Sequence, residues 1–142
     1  MCRTMKRFGK PVITMQIAAP ISPGELIDKI TILEIKLENI SDASKRAAVR
    51  SELGLLTNLR AAHLPETDEL AKLTAELKGA NAELWRIEDE IRDQERAKTF
   101  GDAFVALARS VYRANDKRAA VKHAINVHLN SSIREVKSYQ PY

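Results

Sequence analysis

Two long stretches of this 142-residue sequence carry apolar side chains at alternating spacings of three and four residues. The first stretch contains Leu70, Leu73, Leu77, Ala80, Leu84, Ile87 and Ile91, and the second contains Phe104, Leu107, Val111, Ala114, Val121 and Ile125. This spacing is typical of the seam between two helices that pack side by side. A short polar break separates the two stretches. The pattern therefore predicts a long antiparallel helical hairpin of residues 67–98 and 102–129.

The composition favours an all-α fold. Leu, Ala, Glu, Lys and Arg are the abundant residues, and all five are good helix formers. The sequence has only five glycines, five prolines and 5% aromatic residues, which is unusual for a sheet-rich protein. At this length we expect one helical domain over residues 1–142, in which residues 1–11 form a flexible basic arm.

Two further helices are expected before the hairpin. Ser22 and Glu25 have the spacing of a capping box and predict a helix over residues 23–39. A second helix is expected between the polar cluster at 41–44 and Pro65, because a proline disfavours helical geometry at the residue before it. Together with the hairpin, these helices make a coiled-coil-like bundle.

The ends of the chain and the hairpin turn carry weaker signals. Residues 12–17 are rich in β-formers and residues 133–142 alternate in character, so the two segments could pair as a short β-ribbon against the helices. In the turn, Gly101 can adopt the left-handed conformation and Asp102 can cap the last helix.

Charge is distributed unevenly along the chain, although the net charge is only +4. Residues 66–95 hold ten acidic and four basic residues, whereas residues 96–142 hold nine basic and three acidic ones. The two long helices are thus oppositely charged, and much of the basic character should be neutralised within the fold. Nucleic acid is therefore not the expected partner. No stretch reaches the roughly 20 apolar residues of a membrane span, so no membrane contact is expected either.

The single cysteine, Cys2, excludes an internal disulfide and a cysteine metal cage, which favours a reducing compartment such as the cytoplasm. Catalytic patterns are also missing, since there is no glycine-rich phosphate loop and no serine nucleophile elbow. The three histidines have no carboxylate at a metal-binding helical spacing. We therefore predict no catalytic residue, no metal site and no cofactor, and leave open whether the protein is an enzyme.

Arg118 occupies a position in the second seam where an apolar residue is expected. A polar stripe runs beside each seam, and an antiparallel hairpin that turns near residue 100 brings the two stripes together. This hairpin places Glu83 near Arg118 and Glu88 opposite Tyr112. We expect Arg118 to be largely buried and paired with Glu83 or Glu88. The combined patch is the candidate ligand-binding site and contains Trp85, Glu88, Arg92, Tyr112, Asn115, Arg118 and Lys122.

Two interpretations of this patch stay open. In the first, its charges are ion pairs that fix the register of the hairpin, as polar seam residues do in coiled coils. Alternatively, Arg92, Arg118 and Lys122 bind a phosphate or carboxylate while Trp85 or Tyr112 covers a ring of the ligand.

Four segments of the sequence carry a resemblance to a known family. They are SPGELIDKITILEIKLENI at 22–40, LWRIEDEIRDQE at 84–95, FVALARSVYRANDKRAAVKHAIN at 104–126 and EVKSY at 135–139. The chain resembles an uncharacterised bacterial family of all-helical domains of unknown function. The resemblance implies a bacterial cytoplasmic protein and supplies no activity or catalytic residue.

Two kinds of function fit these observations. The first is a helical protein-interaction or self-association module that forms a homo-oligomer or binds a protein partner. It follows from the apolar stripe of the first helix, which must be buried against another helix or another subunit. The second is a binder or helical enzyme for a small anionic ligand, such as a nucleotide, a sugar phosphate or a carboxylate, at the polar stripe.

Overall fold

The computed structural model describes residues 14–142 and contains four helices and no strand within that range. The helices are α1 (Pro23–Asn39), α2 (Ala43–His63), α3 (Asp68–Ala97) and α4 (Asp102–His128). The predicted all-α fold is confirmed. The basic arm predicted for residues 1–11 lies outside the described residues. Of the four helices, none has the length and apolar character needed to cross a membrane.

The start of α1 follows the sequence signal, with one difference. The Ser22 hydroxyl accepts a hydrogen bond of 3.1 Å from the backbone N–H of Glu25, and Pro23 occupies the first turn, where its missing N–H is not needed. The Glu25 carboxylate, however, binds Lys122 of α4. One half of the capping box therefore forms, and the other half is replaced by a contact between helices.

The next two helices begin at side-chain caps. The Asp42 carboxylate accepts a hydrogen bond of 2.8 Å from the backbone N–H of Lys45 at the start of α2. The Thr67 hydroxyl accepts one of 3.1 Å from the N–H of Leu70 at the start of α3. Each cap satisfies a backbone donor that has no partner inside its helix.

The turn between α3 and α4 differs from the prediction. Lys98, with φ 56°, takes the left-handed conformation, whereas Gly101 has φ −81° and is extended. The Lys98 N–H bonds back to the carbonyls of Gln94 and Glu95, so the left-handed residue closes α3 itself, as is common at helix ends. Asp102 is the first residue of α4 and makes no capping hydrogen bond.

Helices α3 and α4 form the most extensive helix pair, and α1 packs against both of them. The contact between Thr67 and His128, at 3.0 Å, joins the start of α3 to the end of α4, as expected for antiparallel helices. The apolar core lies where α1, α3 and α4 meet, and it consists of Ile27, Leu70, Leu73, Leu77, Val121 and Ile125.

Helix α1 is covered within the chain, since it contacts all three other helices and Ile27, Ile30, Leu33 and Ile35 are buried. The apolar stripe, which was predicted to be buried against another helix or another subunit, is thus packed against helices of its own chain. Helix α2 is different, because it packs against α1 and none of its residues is buried. Of these two helices, α2 is therefore the one that leaves large apolar side chains exposed.

The β-ribbon prediction is wrong for the described residues, since residues 14–21 and 133–142 have no strand. Two short strands need a covered apolar face to be stable, yet Met15, Ile17 and Val136 are among the most exposed apolar side chains. The C-terminal segment instead contacts α4 through side chains. One of these contacts joins the rings of Tyr142 and Tyr112, whose centroids lie 4.8 Å apart.

Candidate functional site

Arg118 of α4 binds both carboxylate oxygens of Asp28 of α1. Its Nε donates to Oδ1 at 2.9 Å and its Nη2 donates to Oδ2 at 2.5 Å. The pairing predicted with Glu83 or Glu88 is therefore wrong, because α1 crosses the hairpin beside Arg118 and supplies the acid. The Asp28 side chain is 1% exposed and that of Arg118 is 30% exposed, so the arginine is partly buried and the acid fully buried.

Asp28 has further partners that complete its hydrogen bonding. Asn81 of α3 donates from Nδ2 to Oδ1 of Asp28 at 2.9 Å and to Oγ1 of Thr31 at 3.0 Å. The Thr31 hydroxyl in turn donates to the backbone carbonyl of Asp28 at 2.9 Å. One buried carboxylate thus connects three helices. None of these three residues, Asp28, Thr31 and Asn81, was predicted from the sequence as a site residue.

The surroundings of Asp28 keep it ionised. Burial alone would raise its pKa, but the hydrogen bonds from Arg118 and Asn81, together with the charges of Arg118 and Lys122, outweigh burial and lower the pKa below its usual value. The hydrogen bond with Asp28 likewise raises the pKa of Arg118, against the opposing effect of burial. Both members of the pair are therefore charged at neutral pH.

Lys122 lies one turn further along α4 and is also paired. Its Nζ lies 2.8 Å from a carboxylate oxygen of Glu25, 3.0 Å from one of Glu135 and 3.8 Å from one of Asp28. Burial would lower the pKa of Lys122, but the hydrogen bonds to Glu25 and Glu135 raise it above its usual value. Lys122 thus attaches both α1 and the C-terminal segment to α4. The connected side chains form one polar cluster, which consists of Asp28, Thr31, Asn81, Arg118 and Lys122.

The first turn of α1 lies directly against α4. The backbone N–H of Gly24 donates to Oδ1 of Asn126 at 2.7 Å, so α4 supplies a cap to α1. A Cβ atom on Gly24 would lie 2.6 Å from the carbonyl oxygen of Lys122 and 2.8 Å from Oδ1 of Asn126. A residue without a side chain is therefore required at this position.

Beside the polar cluster lies a cleft of about 560 Å³, here called the Trp85 cleft. It is lined by Ile32, Asn81, Leu84, Trp85, Glu88, Asp89, Arg92, Asn115 and Arg118. Of the seven residues predicted for the site, the cleft brings together Trp85, Glu88, Arg92, Asn115 and Arg118. Tyr112 lines a separate cleft beneath the C-terminal segment, and Lys122 belongs to the polar cluster.

The cations of the predicted anion pocket all have carboxylate partners within the chain. Arg92 binds Glu88 one turn earlier on α3, with Nη1 2.5 Å from Oε2, and both side chains are exposed. Arg118 is paired with Asp28, and Lys122 has three acids around it. The Trp85 cleft therefore has charges of both signs along its wall.

Residues 14–142 contain no cluster of three or more His, Cys, Asp and Glu side chains that could hold a metal ion. Two of the histidines are exposed on α4, where Nε2 of His128 lies 3.0 Å from the Thr67 hydroxyl. In the described residues the site thus consists of a buried ion-pair cluster and a cleft that combines an aromatic ring, apolar side chains and charges of both signs.

Comparison with known proteins identifies a family but no characterised relative. No curated protein matches the chain, and no solved structure matches it. One family model, described as a family of unknown function (DUF6165), matches residues 17–142. Because this match covers most of the chain, the protein belongs to that family of unknown function.

Proposed function

We propose that this protein is a helical interaction module that self-associates through the outer face of α2. The observation that carries the proposal is the uncovered apolar surface of that helix. Although α2 has 21 residues, it buries none of them fully, and the side chains of Leu55 and Leu59 are 51% and 45% exposed. A cluster of exposed apolar side chains of this kind is typical of protein–protein interaction sites.

Helix α2 has two apolar faces that serve different purposes. Val49, Leu53 and Leu56 are half-buried, as expected for the side that packs on α1. Leu55 and Leu59 are four positions apart and so lie on one common side of the helix, beside the first face, and they line one groove together with Leu56. Contact with α1 therefore explains the first face and leaves the second unexplained.

The segment before α1 extends the uncovered surface. Gln16, Ile17 and Ala18 lie beside α2 and, together with Leu55 and Leu59, line an apolar groove of about 800 Å³. The Ile17 side chain is 86% exposed. A partner that entered this groove would bury apolar area of both the helix and the preceding segment. Each Å² of apolar area removed from water contributes about 25 cal/mol of favourable free energy.

A second copy of the chain is the occupant that fits this groove. Its lining residues are all uncharged, so two copies can approach without repulsion between like charges. If two α2 helices pack antiparallel around a two-fold axis near Thr57, Leu55 of each copy faces Leu59 of the other. Such an isologous contact uses the same patch twice and closes as a dimer.

Sedimentation velocity over micromolar concentrations tests the proposal. We expect a dimer for the unchanged chain and a monomer for Leu55→Glu and for Leu59→Glu, because a buried unpaired carboxylate opposes association. The matched control is Val105→Glu, which alters a similarly exposed apolar residue on α4 and should leave the dimer intact. A monomeric chain, or a dimer that both α2 variants preserve, would overturn the proposal.

A further inference from the structure

We propose that the Trp85 cleft binds a small zwitterion of the amino-acid type, with its carboxylate on Arg118 and its ammonium group on Asp89. This inference is independent of self-association, since the cleft is lined by residues of α1, α3 and α4, whereas the proposed dimer surface lies on α2. It rests on the donors and acceptors that the fold leaves free, on the balance of charge and on the apolar wall.

Arg118 has hydrogen-bonding capacity that the fold does not use. A guanidinium group carries five N–H donors, and Asp28 accepts from Nε and Nη2. Within residues 14–142 the Nη1 group has no hydrogen-bond partner, and Arg118 lines the cleft. Because Asp28 fixes the plane of the guanidinium group, its remaining donors are held in place for a carboxylate.

The cleft also offers an unpaired acid. Asp89 lines it and forms no ion pair or hydrogen bond with another side chain of the described residues. Its neighbour Glu88 binds Arg92 in the same wall. Asp89 is thus the acceptor that an ammonium group of a ligand would meet.

The balance of charge decides between an anion and a zwitterion. Two carboxylates, those of Glu88 and Asp89, line the cleft against the two guanidinium groups of Arg92 and Arg118, so the charges of the wall balance. A bare anion would therefore meet no surplus of positive charge, and the carboxylate of Asp89 would repel it. A zwitterion has no net charge, and it gains a favourable interaction with Arg118 through its carboxylate and with Asp89 through its ammonium group.

The remaining wall suits the body of such a ligand. Ile32 and Leu84 are apolar, and the indole of Trp85 offers a face for an aromatic ring or an ammonium group. Asn115 adds an amide on the α4 side. The volume of about 560 Å³ lies in the range usual for small-molecule sites.

Intrinsic fluorescence can follow binding directly, because Trp85 is the single tryptophan of the chain. The probes are L-phenylalanine, 3-phenylpropionate, which lacks the ammonium group, and 2-phenylethylamine, which lacks the carboxylate. We expect saturable fluorescence changes and a Kd for L-phenylalanine about tenfold below that of either analogue, since each analogue loses one charged hydrogen bond. Equal or tighter binding of 3-phenylpropionate would overturn the proposal in favour of an anion site.

Asp89→Asn tests the assignment of the ammonium group without disturbing the fold, because Asp89 is exposed. In this variant the Kd for L-phenylalanine should rise to about the value for 3-phenylpropionate. The Kd for 3-phenylpropionate should not increase. Asp93→Asn is the matched control, since Asp93 lies one turn further along α3 and outside the cleft, and it should leave both Kd values unchanged. An absent fluorescence response to all three probes, or an Asp89→Asn variant that binds L-phenylalanine normally, would overturn the proposal.

Discussion

Asp28 and Arg118 are 90 positions apart in the sequence and yet form a two-point ion pair, with Nε 2.9 Å from Oδ1 and Nη2 2.5 Å from Oδ2. The acid is buried, so its charge is tolerated only while its partners remain in place. The pair therefore fixes where α1 lies on the hairpin of α3 and α4. This pair joins α4 to α1 and so differs from the predicted ion pairs between α3 and α4 that would fix the register of the hairpin.

Arg118→Met should lower the free energy of unfolding by about 3 kcal/mol, because it leaves the charge of Asp28 buried without its main partner. Urea denaturation followed by circular dichroism measures this change. In the double variant Asp28→Leu with Arg118→Met, part of the lost stability should return, since no unpaired charge remains.

Arg92→Met provides the control for that experiment. Arg92 forms an exposed ion pair with Glu88, and exposed pairs of this kind contribute less than about 1 kcal/mol. A loss of stability at Arg92 as large as that at Arg118 would contradict the distinction drawn here between the buried pair and the exposed one.

Stability should also fall on acidification, through Asp28. Burial opposes its ionisation, but the hydrogen bonds from Arg118 and Asn81 lower its pKa in the folded state. The stabilisation is therefore complete above the unfolded-state pKa, near pH 4, and is lost as pH falls through the lower folded-state pKa. In urea denaturation from pH 7 to pH 2, the gap in stability between the unchanged chain and Asp28→Asn should narrow below about pH 4. A gap that stays constant would show that the pKa of Asp28 is the same in the folded and unfolded states, which would contradict the lowered pKa.

The sequence predicted the helices well, because their signals are local. The caps at Ser22 and Thr67 depend on residues three positions apart, and the seams depend on a spacing that holds within one helix. The turn was less predictable. The left-handed conformation costs a glycine less than other residues, which favoured Gly101, but Lys98 adopts it instead.

The candidate site was predicted only in part, because its central contact joins distant elements. Antiparallel pairing of α3 with α4 brought Trp85 and Arg118 into one cleft, as the sequence indicated. The position of α1 does not follow from that pairing, so the partner of Arg118 could not be identified. One signal was available in Asp28, an acid that follows the apolar Ile27 and lies three positions before Thr31 on the buried side of the helix.

Gly24→Ala should destabilise the fold, by about 1–3 kcal/mol, since the added Cβ would lie 2.6 Å from the carbonyl oxygen of Lys122. The clash would push the first turn of α1 away from α4 and weaken the hydrogen bond to Asn126. Thermal denaturation measures the loss. Gly79→Ala in α3 is the matched control, because its Cβ meets no atom within 4 Å and should stabilise the helix by about 0.5–1 kcal/mol. Equal melting temperatures for the two variants would contradict the close contact between α1 and α4.

Glu135→Gln should release the C-terminal segment while leaving the helices folded. Lys122 would lose the charge that holds residues 131–142 against α4, but it would keep Glu25 as a partner. The free energy of unfolding, measured by urea denaturation, should therefore fall by less than about 1 kcal/mol. Chymotrypsin should then cleave after the exposed Tyr139 severalfold faster, as measured by mass spectrometry. Arg134→Gln is the control, since Arg134 forms no ion pair among the described residues and its removal should leave cleavage unchanged. If Glu135→Gln leaves cleavage unchanged as well, the contact between the rings of Tyr142 and Tyr112 holds the segment instead.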